Sequence, residues 1–277
     1  MSRRAALLLL APAVLLIAAL LGAPLLWLIR FSIHEGQTGV TPTGALTLAH
    51  YARALGDGFY LAVFGRTLGL ALLITLVSAI VSYPLAHFMW QAPPRWRGAL
   101  TILALSPLLV SIVVSSYGWM VILGDRGIIA ALLRWGGMER PPRMVFNTTG
   151  VVVGLTEILM PYMILALIAG FGRLNTSLEE AAASLGARPF TVFRRVVLPL
   201  TLPGIMLGCL LAFVLAVSSF ITPKLLGGGR VFLLATEIYD QAIVTLNWPV
   251  AAALSIVVLV IFGIALTLYG RLARAVA

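Results

Sequence analysis

The chain has 277 residues, of which 61% are hydrophobic and 10% are charged. Soluble globular domains carry roughly 25% charged residues, so this composition excludes an ordinary soluble fold and favours a protein whose solvent is the lipid bilayer. The 19 basic residues outnumber the 9 acidic ones. Because the basic residues lie in short connections between apolar runs, they favour a membrane orientation signal over a nucleic-acid-binding surface.

Six apolar segments are long enough to cross the hydrocarbon core as helices, for which about 20 residues suffice. A helix satisfies its own backbone hydrogen bonds, which lipid cannot do. We therefore predict an all-α, polytopic membrane protein with about six transmembrane helices. The predicted spans are Ala6–Ile29, Thr67–Met89, Ala99–Leu123, Gly150–Phe171, Leu202–Ile221 and Val250–Tyr269.

The first predicted span resembles a signal peptide, since Arg3 and Arg4 precede a leucine-rich run. The run is too long for the apolar part of a typical signal peptide, and no clear small-residue cleavage site follows it. We predict that this helix is retained. The chain is then divided into residues 1–60, with the first span and an outer segment, a core that holds the other five spans at 61–270, and a tail at 271–277.

The distribution of basic residues predicts the orientation of the spans. If both termini lie on one side, the two sides carry almost equal numbers of basic residues, so their density must decide. The amino terminus, the compact loop 91–98 and the tail 271–277 are all basic. We predict that these segments are cytoplasmic and that connections 30–60, 124–149 and 222–249 face outward.

The cytoplasmic connection between the fourth and fifth predicted spans carries helix signals. Ser177 and Glu180 have the spacing of a capping box, which predicts a helix start. The alanines at 181–183 favour continuation of the helix. Gly186 can adopt the left-handed conformation that ends a helix. The pattern predicts a short helix that ends near Gly186.

A second short helix is predicted to follow directly. Pro189 suits a first helical turn, and Phe190 and Phe193 are three residues apart on one face. Pro199 is predicted to end this helix before the fifth span. Two such helices form either a surface for a partner protein or an interfacial amphipathic loop without a partner, and the residues alone leave both possibilities open.

The same connection resembles the EAA loop of permeases from binding-protein-dependent ATP-binding-cassette (ABC) importers. The resemblance lies in Glu180-Ala181-Ala182, Gly186 and Val196-x-Leu198-Pro199. Every spacing matches the family pattern, and the one departure is Val196 in place of isoleucine. We call residues 177–199 the EAA-like loop.

Other segments resemble the polyamine (spermidine/putrescine) branch of these permeases. They are Thr47–Tyr51, Ser219–Gly229 and Asn247–Pro249. Within that branch, the stretch Thr222–Gly229 resembles the first of the two permease subunits.

The resemblance implies the transmembrane domain of a type I importer in the bacterial inner membrane, which translocates a small solute such as a polyamine. The expected partners are a second homologous permease subunit, two ATPase subunits and a periplasmic binding protein. This sequence has no G-x-x-x-x-G-K-[ST] loop. We therefore expect ATP and Mg²⁺ on the ATPase subunits, with no catalytic, cofactor-binding or metal-binding residue in this chain. The residues expected to couple to the ATPase are Glu179, Glu180, Ala181, Ala182, Gly186, Phe190, Phe193, Leu198 and Pro199.

Glu157 is the one acidic residue well inside a predicted span. A carboxylate in that position is costly unless it is paired or faces water. It either attracts a cationic substrate or makes a structural hydrogen bond. The other candidates for the substrate pathway are Ser115, Tyr117, Trp119, Ser219 and Phe220.

Two other function classes compete with an ABC permease. An ion-coupled secondary transporter would need discontinuous helices or more intramembrane charges, and it would leave the EAA-like loop unexplained. A membrane enzyme would need a cluster of catalytic side chains near one interface, and the sequence shows no such cluster.

Overall fold

The computed structural model describes residues 3–35, 44–172 and 174–276. Part of the predicted outer segment 30–60 and the last residue of the predicted tail lie outside these ranges. Within them the chain is helical and forms no β-strand, which confirms the all-α prediction. Six helical segments are long and apolar enough to cross a membrane: Ala11–Ser32, Gly58–Gln91, Ile112–Trp135, Thr148–Phe171, Pro189–Ser218 and Trp248–Arg274.

The backbone divides into two compact units, and the first contains Met1–Ala62 and Glu237–Val260. It holds α1 (Arg3–Ser32), α2 (Ala49–Gly56) and the first residues of the long helix α3 (Gly58–Gln91). At the end of α1, the Tyr51 hydroxyl donates to Ser32 Oγ at 2.7 Å. The Phe31 and Trp248 rings lie 5.9 Å apart, which joins α1 to the start of the last helix. Apart from this end, the described side chains of α1 are largely exposed.

The second unit contains Val63–Thr236 and Ile261–Ala277. After α3 its helices are α4 (Pro94–Leu105), α5 (Ile112–Leu123), α6 (Ile128–Trp135), α7 (Thr148–Phe171), α8 (Thr176–Ser184), α9 (Pro189–Val192), α10 (Leu198–Ser218) and α11 (Ile221–Leu226). Helix α12 (Leu234–Tyr239) begins in this unit, and its residues from Glu237 onward belong to the first. The last helix, α13 (Trp248–Val276), runs through both units.

Helices α7 and α10 form the centre of the second unit. They approach closely at two glycines: a Cβ atom placed on Gly204 would lie 2.8 Å from the Gly170 Cα atom. Small residues permit such close contact between membrane helices, where van der Waals packing drives association. The core cluster beside this contact is Ala86, Met89, Met163, Ile164, Leu167, Phe171, Val192, Val197 and Ala212.

The third predicted span, Ala99–Leu123, is wrong as a single helix. The chain forms α4, a 3₁₀ turn at Ser106–Leu109 and then α5. Val110 is extended, with ψ 138°. Pro107 explains the break, because its ring lacks an amide donor and collides with the carbonyl four residues earlier.

The fifth predicted span, Leu202–Ile221, ends too late and begins too late. Helix α10 stops at Ser218, Ser219 is extended with ψ 129°, and α11 is a separate helix. Pro223 cannot donate to the Ser219 carbonyl, and it lies in the first turn of the new helix, where no such donor is needed. The other four predicted spans lie within longer observed helices and are confirmed.

We expect Gly204→Ala to destabilise the isolated chain, because the added methyl group meets backbone atoms of α7 at 2.8 Å and 2.9 Å. Gly263→Ala is the matched control, since among the described residues nothing lies within 4 Å of a Cβ atom there. Thermal unfolding in detergent should show a loss of about 1–3 kcal/mol for Gly204→Ala. Equal stability of the two variants would contradict the close packing of α7 and α10.

Candidate coupling loop and transport pathway

The first half of the EAA-like loop is helix α8, and its cap differs from the predicted one. The Asn175 side chain accepts a hydrogen bond from the Ser177 amide at 3.1 Å, so the helix begins at Thr176. The predicted cap at Ser177 is therefore wrong. Asparagine is as good a cap as serine, and here it lies two residues earlier in the chain.

Gly186 ends α8 as predicted. Its φ angle is +79°, in the left-handed region that glycine adopts without strain. The Ala187 amide donates to the Ala182 carbonyl at 3.1 Å, which closes the helix end. This backbone conformation sets the angle between α8 and the following segment.

The second half of the loop leads into α10 without interruption. Helix α9 passes into a π-helical turn at Phe193–Val197, and the Leu198 amide donates to the Phe193 carbonyl five residues earlier. The prediction that Pro199 ends this segment is wrong. The wider π turn shifts the carbonyls preceding Pro199, so the helix accommodates the ring near the start of α10.

One side of the EAA-like loop is anchored in the core. Val192 and Val197 are buried, and Phe193 packs against the same cluster with its ring 5.7 Å from that of Tyr83. Ala182 also packs there. Since these contacts join the loop to α3, α7 and α10, its anchored side follows the membrane helices.

The other side of the loop is open. Leu185 is 89% exposed and Phe190 is 72% exposed, and Glu180 and Ala181, which precede them in the chain, are also exposed. Phe190 and Phe193, predicted to share a face, therefore have different environments. Of the remaining predicted coupling residues, Leu198 is half-buried and Pro199 is exposed.

A cavity of about 400 Å³ lies between the end of α3 and the EAA-like loop. Its polar lining comes from His87, Gln91, Glu179 and Glu180, and its apolar lining from residues of α9 and the π turn. His87 is not among the predicted coupling residues. Only the folded chain brings it to Glu179, because the two residues are distant in the sequence.

The predicted pathway residues fall into two groups. In the first, the Trp119 indole donates to Glu157 Oε2 at 3.4 Å, a longer distance than the usual 2.7–3.2 Å of such bonds. Glu157 and Trp119 are half-buried, Ser115 is half-buried on α5, and Tyr117 is exposed. The structure thus places an acidic and an aromatic side chain together inside the bundle.

The second group lies where α10 breaks. Ser219 and Phe220 line a cavity of about 250 Å³ together with Tyr162 and Ser218. The Ser219 hydroxyl donates to the Leu215 carbonyl of its own helix at 2.7 Å. Tyr162 was missed by the sequence reasoning, although Leu155, Ile158, Leu159 and Tyr162 follow the spacing of one helix face.

A further buried carboxylate belongs to the first unit. Glu237 on α12 is 6% exposed, and the Gln241 amide donates to its Oε1 atom at 2.8 Å. Gln241 also lies 3.5 Å from the Tyr60 hydroxyl. Hydropathy did not single out Glu237, because the apolar stretch that contains it is too short to count as a span.

With this geometry in place, the chain was compared with known proteins. The sequence profile of the family "binding-protein-dependent transport system inner membrane component" matches residues 7–277. The chain belongs to this family. The permease resemblance of the EAA-like loop is thereby confirmed.

Individual relatives agree with the family. The chain is 35% identical over 229 residues to the spermidine/putrescine transport system permease protein PotB of Salmonella typhimurium. This match covers 82% of the chain and 79% of the relative. It is 34% identical over 262 residues to the inner membrane ABC transporter permease protein YdcU of Escherichia coli, covering 90% and 82%.

Solved structures share the fold. A bacterial ABC transporter that imports alginate matches 96% of this chain and 94% of its own, with a TM-score of 0.79 and 17% identity. The methionine ABC transporter MetNI in an inward-facing conformation matches with a TM-score of 0.59 and 16% identity, over 80% of this chain and 99% of its own. At these identities the likeness establishes the fold.

The chain is therefore a multi-pass membrane protein and a permease subunit of an ABC importer. The alternative of an ion-coupled secondary transporter is wrong, because the family and the structural neighbours are ABC importer permeases.

We expect Gly186→Val to reduce solute uptake by roughly tenfold or more, because a β-branched residue is strained at φ +79° and reorients α8. Gly186→Asn should retain most uptake, since asparagine tolerates this conformation. Among the described residues nothing lies within 4 Å of a Cβ atom at this position, so the comparison isolates backbone strain from steric collision. The uptake of both variants is measured in cells at matched protein levels. Normal uptake by Gly186→Val would contradict the need for a left-handed residue that orients α8.

Proposed function

We propose that the chain is the first of two homologous permease subunits in an importer of polyamines such as spermidine and putrescine. The main support is its 34–35% identity to PotB proteins of several bacteria. A relative named for molybdenum transport is 32% identical over 69% of this chain, so identity alone does not determine the substrate. The Glu157 carboxylate beside the Trp119 ring favours a cation.

The EAA-like loop is proposed to contact an ATPase subunit in the cytoplasm. It carries Glu179, Glu180, Arg188, Arg194 and Arg195, and so many charges would be too costly in the hydrocarbon core. Its exposed Leu185 and Phe190 side chains therefore face water unless a partner covers them. Exposed apolar groups rimmed by charges are typical of a protein interaction surface.

The proposed complex contains this chain, a second permease subunit, two ATPase subunits and a periplasmic binding protein. ATP and Mg²⁺ bind to the ATPase subunits. Both termini of this chain face the cytoplasm, and connections 30–60, 124–149 and 222–249 face the periplasm. When the ATPase subunits close on ATP, they displace α8 and α9. Because α9, the π turn and α10 are continuous, this displacement reaches a membrane span directly.

The substrate is tested by reconstituting the full complex in proteoliposomes with its binding protein. We expect spermidine-loaded binding protein to stimulate ATP hydrolysis and uptake. Glu157→Gln should lower spermidine uptake by roughly tenfold or more, since a hydrogen bond to a charged group contributes about 1.5–3 kcal/mol. Glu139→Gln, an exposed carboxylate in the connection before α7, is the matched control. Stimulation by an anionic solute only, or full activity of Glu157→Gln, would contradict a polyamine pathway at this residue.

The two phenylalanines of the EAA-like loop test the ATPase contact. We expect Phe190→Ala to change the free energy of unfolding by less than about 0.5 kcal/mol, because this ring is exposed. It should nevertheless reduce copurification of the ATPase. Phe193→Ala removes a ring packed on the core cluster and should cost ~3 kcal/mol. If Phe190→Ala retains the ATPase as well as the unaltered chain does, this side of the loop is not the contact surface.

A further inference from the structure

The cavity beside the EAA-like loop contains two buried polar atoms that lack partners. Among the described residues, neither His87 Nδ1 nor Glu179 Oε1 has a hydrogen-bond partner. Both side chains line the same cavity of about 400 Å³. Buried polar atoms in folded proteins are nearly always hydrogen-bonded, so two exceptions facing one space require a physical explanation.

The two groups are chemically complementary. An imidazole with its proton on Nδ1 is a donor, and a carboxylate oxygen is an acceptor. A hydrogen bond between them would be charge-assisted and stronger than a neutral one. One contact would therefore satisfy both atoms that are unpaired in this part of the structure, and it would require the cavity to close.

The His87 side of the cavity is fixed. Its ring stacks on Trp90 with centroids 6.0 Å apart and packs against Phe171 at 5.5 Å. Phe171 belongs to the core cluster, and Trp90 packs against it. Closure of the cavity must therefore come from the Glu179 side.

The Glu179 side can move. Helix α8 has only nine residues, begins after the non-helical Leu174 and Asn175, and ends at the left-handed Gly186. All of its described side chains are exposed or half-buried, and among them Ala182 alone packs against the core cluster. A rotation at these two ends would move α8 as a short rigid body relative to α9.

We propose that His87 is a positioning residue that receives the Glu179 carboxylate when α8 is pressed toward α3. This inference rests on the proposed function, because the ATPase supplies the force on the exposed side of α8. The contact links α8 to the end of α3. The movement of the ATPase thereby reaches two membrane spans: α10 through the continuous backbone and α3 through this side-chain pair.

Disulfide trapping in the assembled complex tests the contact. The pair His87→Cys and Glu179→Cys is placed in a Cys209→Ser background, which removes the single native cysteine. We expect cross-linking to be several-fold faster in the complex trapped with ATP and vanadate than in the nucleotide-free complex. The control pair joins His87→Cys to Leu185→Cys, whose side chain lies on the open side of the loop. Equal rates in both states, or equal behaviour of the control pair, would overturn the inference.

Two substitutions of His87 separate a hydrogen bond from packing. His87→Gln keeps a donor and loses the ring, whereas His87→Phe keeps a ring and loses the donor. We expect His87→Phe to lower uptake per ATP hydrolysed by roughly fivefold, the effect of losing one hydrogen bond, and His87→Gln to retain most of it. The reverse order, or normal coupling in His87→Phe, would assign His87 to packing and refute the inference. The unaltered complex separates a failure of the His87 inference from a failure of the proposed importer function. If binding protein does not stimulate ATP hydrolysis by the unaltered complex, the importer function itself is contradicted.

Discussion

The hydrocarbon core of a membrane offers no hydrogen-bond partner to a peptide group, and this constraint determines most of the structure. Long helices satisfy their own backbone, and the six candidate spans follow. Three of the irregular positions contain a proline, which removes a donor: Pro107, Pro199 and Pro223. At each of these the chain uses a 3₁₀ turn, a π turn or a new helix to limit the number of unpaired groups.

The same constraint separates the charged EAA-like loop from the spans while keeping it mechanically joined to them. The close contact of Gly170 with Gly204 holds α7 against α10. The π turn passes from α9 into α10 without a flexible linker. A permease needs this combination, because the energy for transport comes from outside the membrane and has to move helices inside it.

The sequence predicted the features that depend on composition and local chemistry. Hydropathy located the spans, and Gly186 was predicted in the left-handed conformation because a helix must end there. It did not locate the cap at Asn175, since Ser177 satisfies the same rule. It also missed that His87 and Glu179 line one cavity, because the proximity of residues so distant in the sequence depends on how α3 packs against the loop.

The side of the membrane on which the EAA-like loop lies tests this interpretation most directly. Leu185→Cys in a Cys209→Ser background places one thiol at a loop position where the leucine side chain is 89% exposed. We expect a membrane-impermeant maleimide to label it in inside-out vesicles and not in right-side-out vesicles, and bound ATPase to protect it. Labelling in right-side-out vesicles only would place the loop outside the cell and contradict a role in coupling to the ATPase.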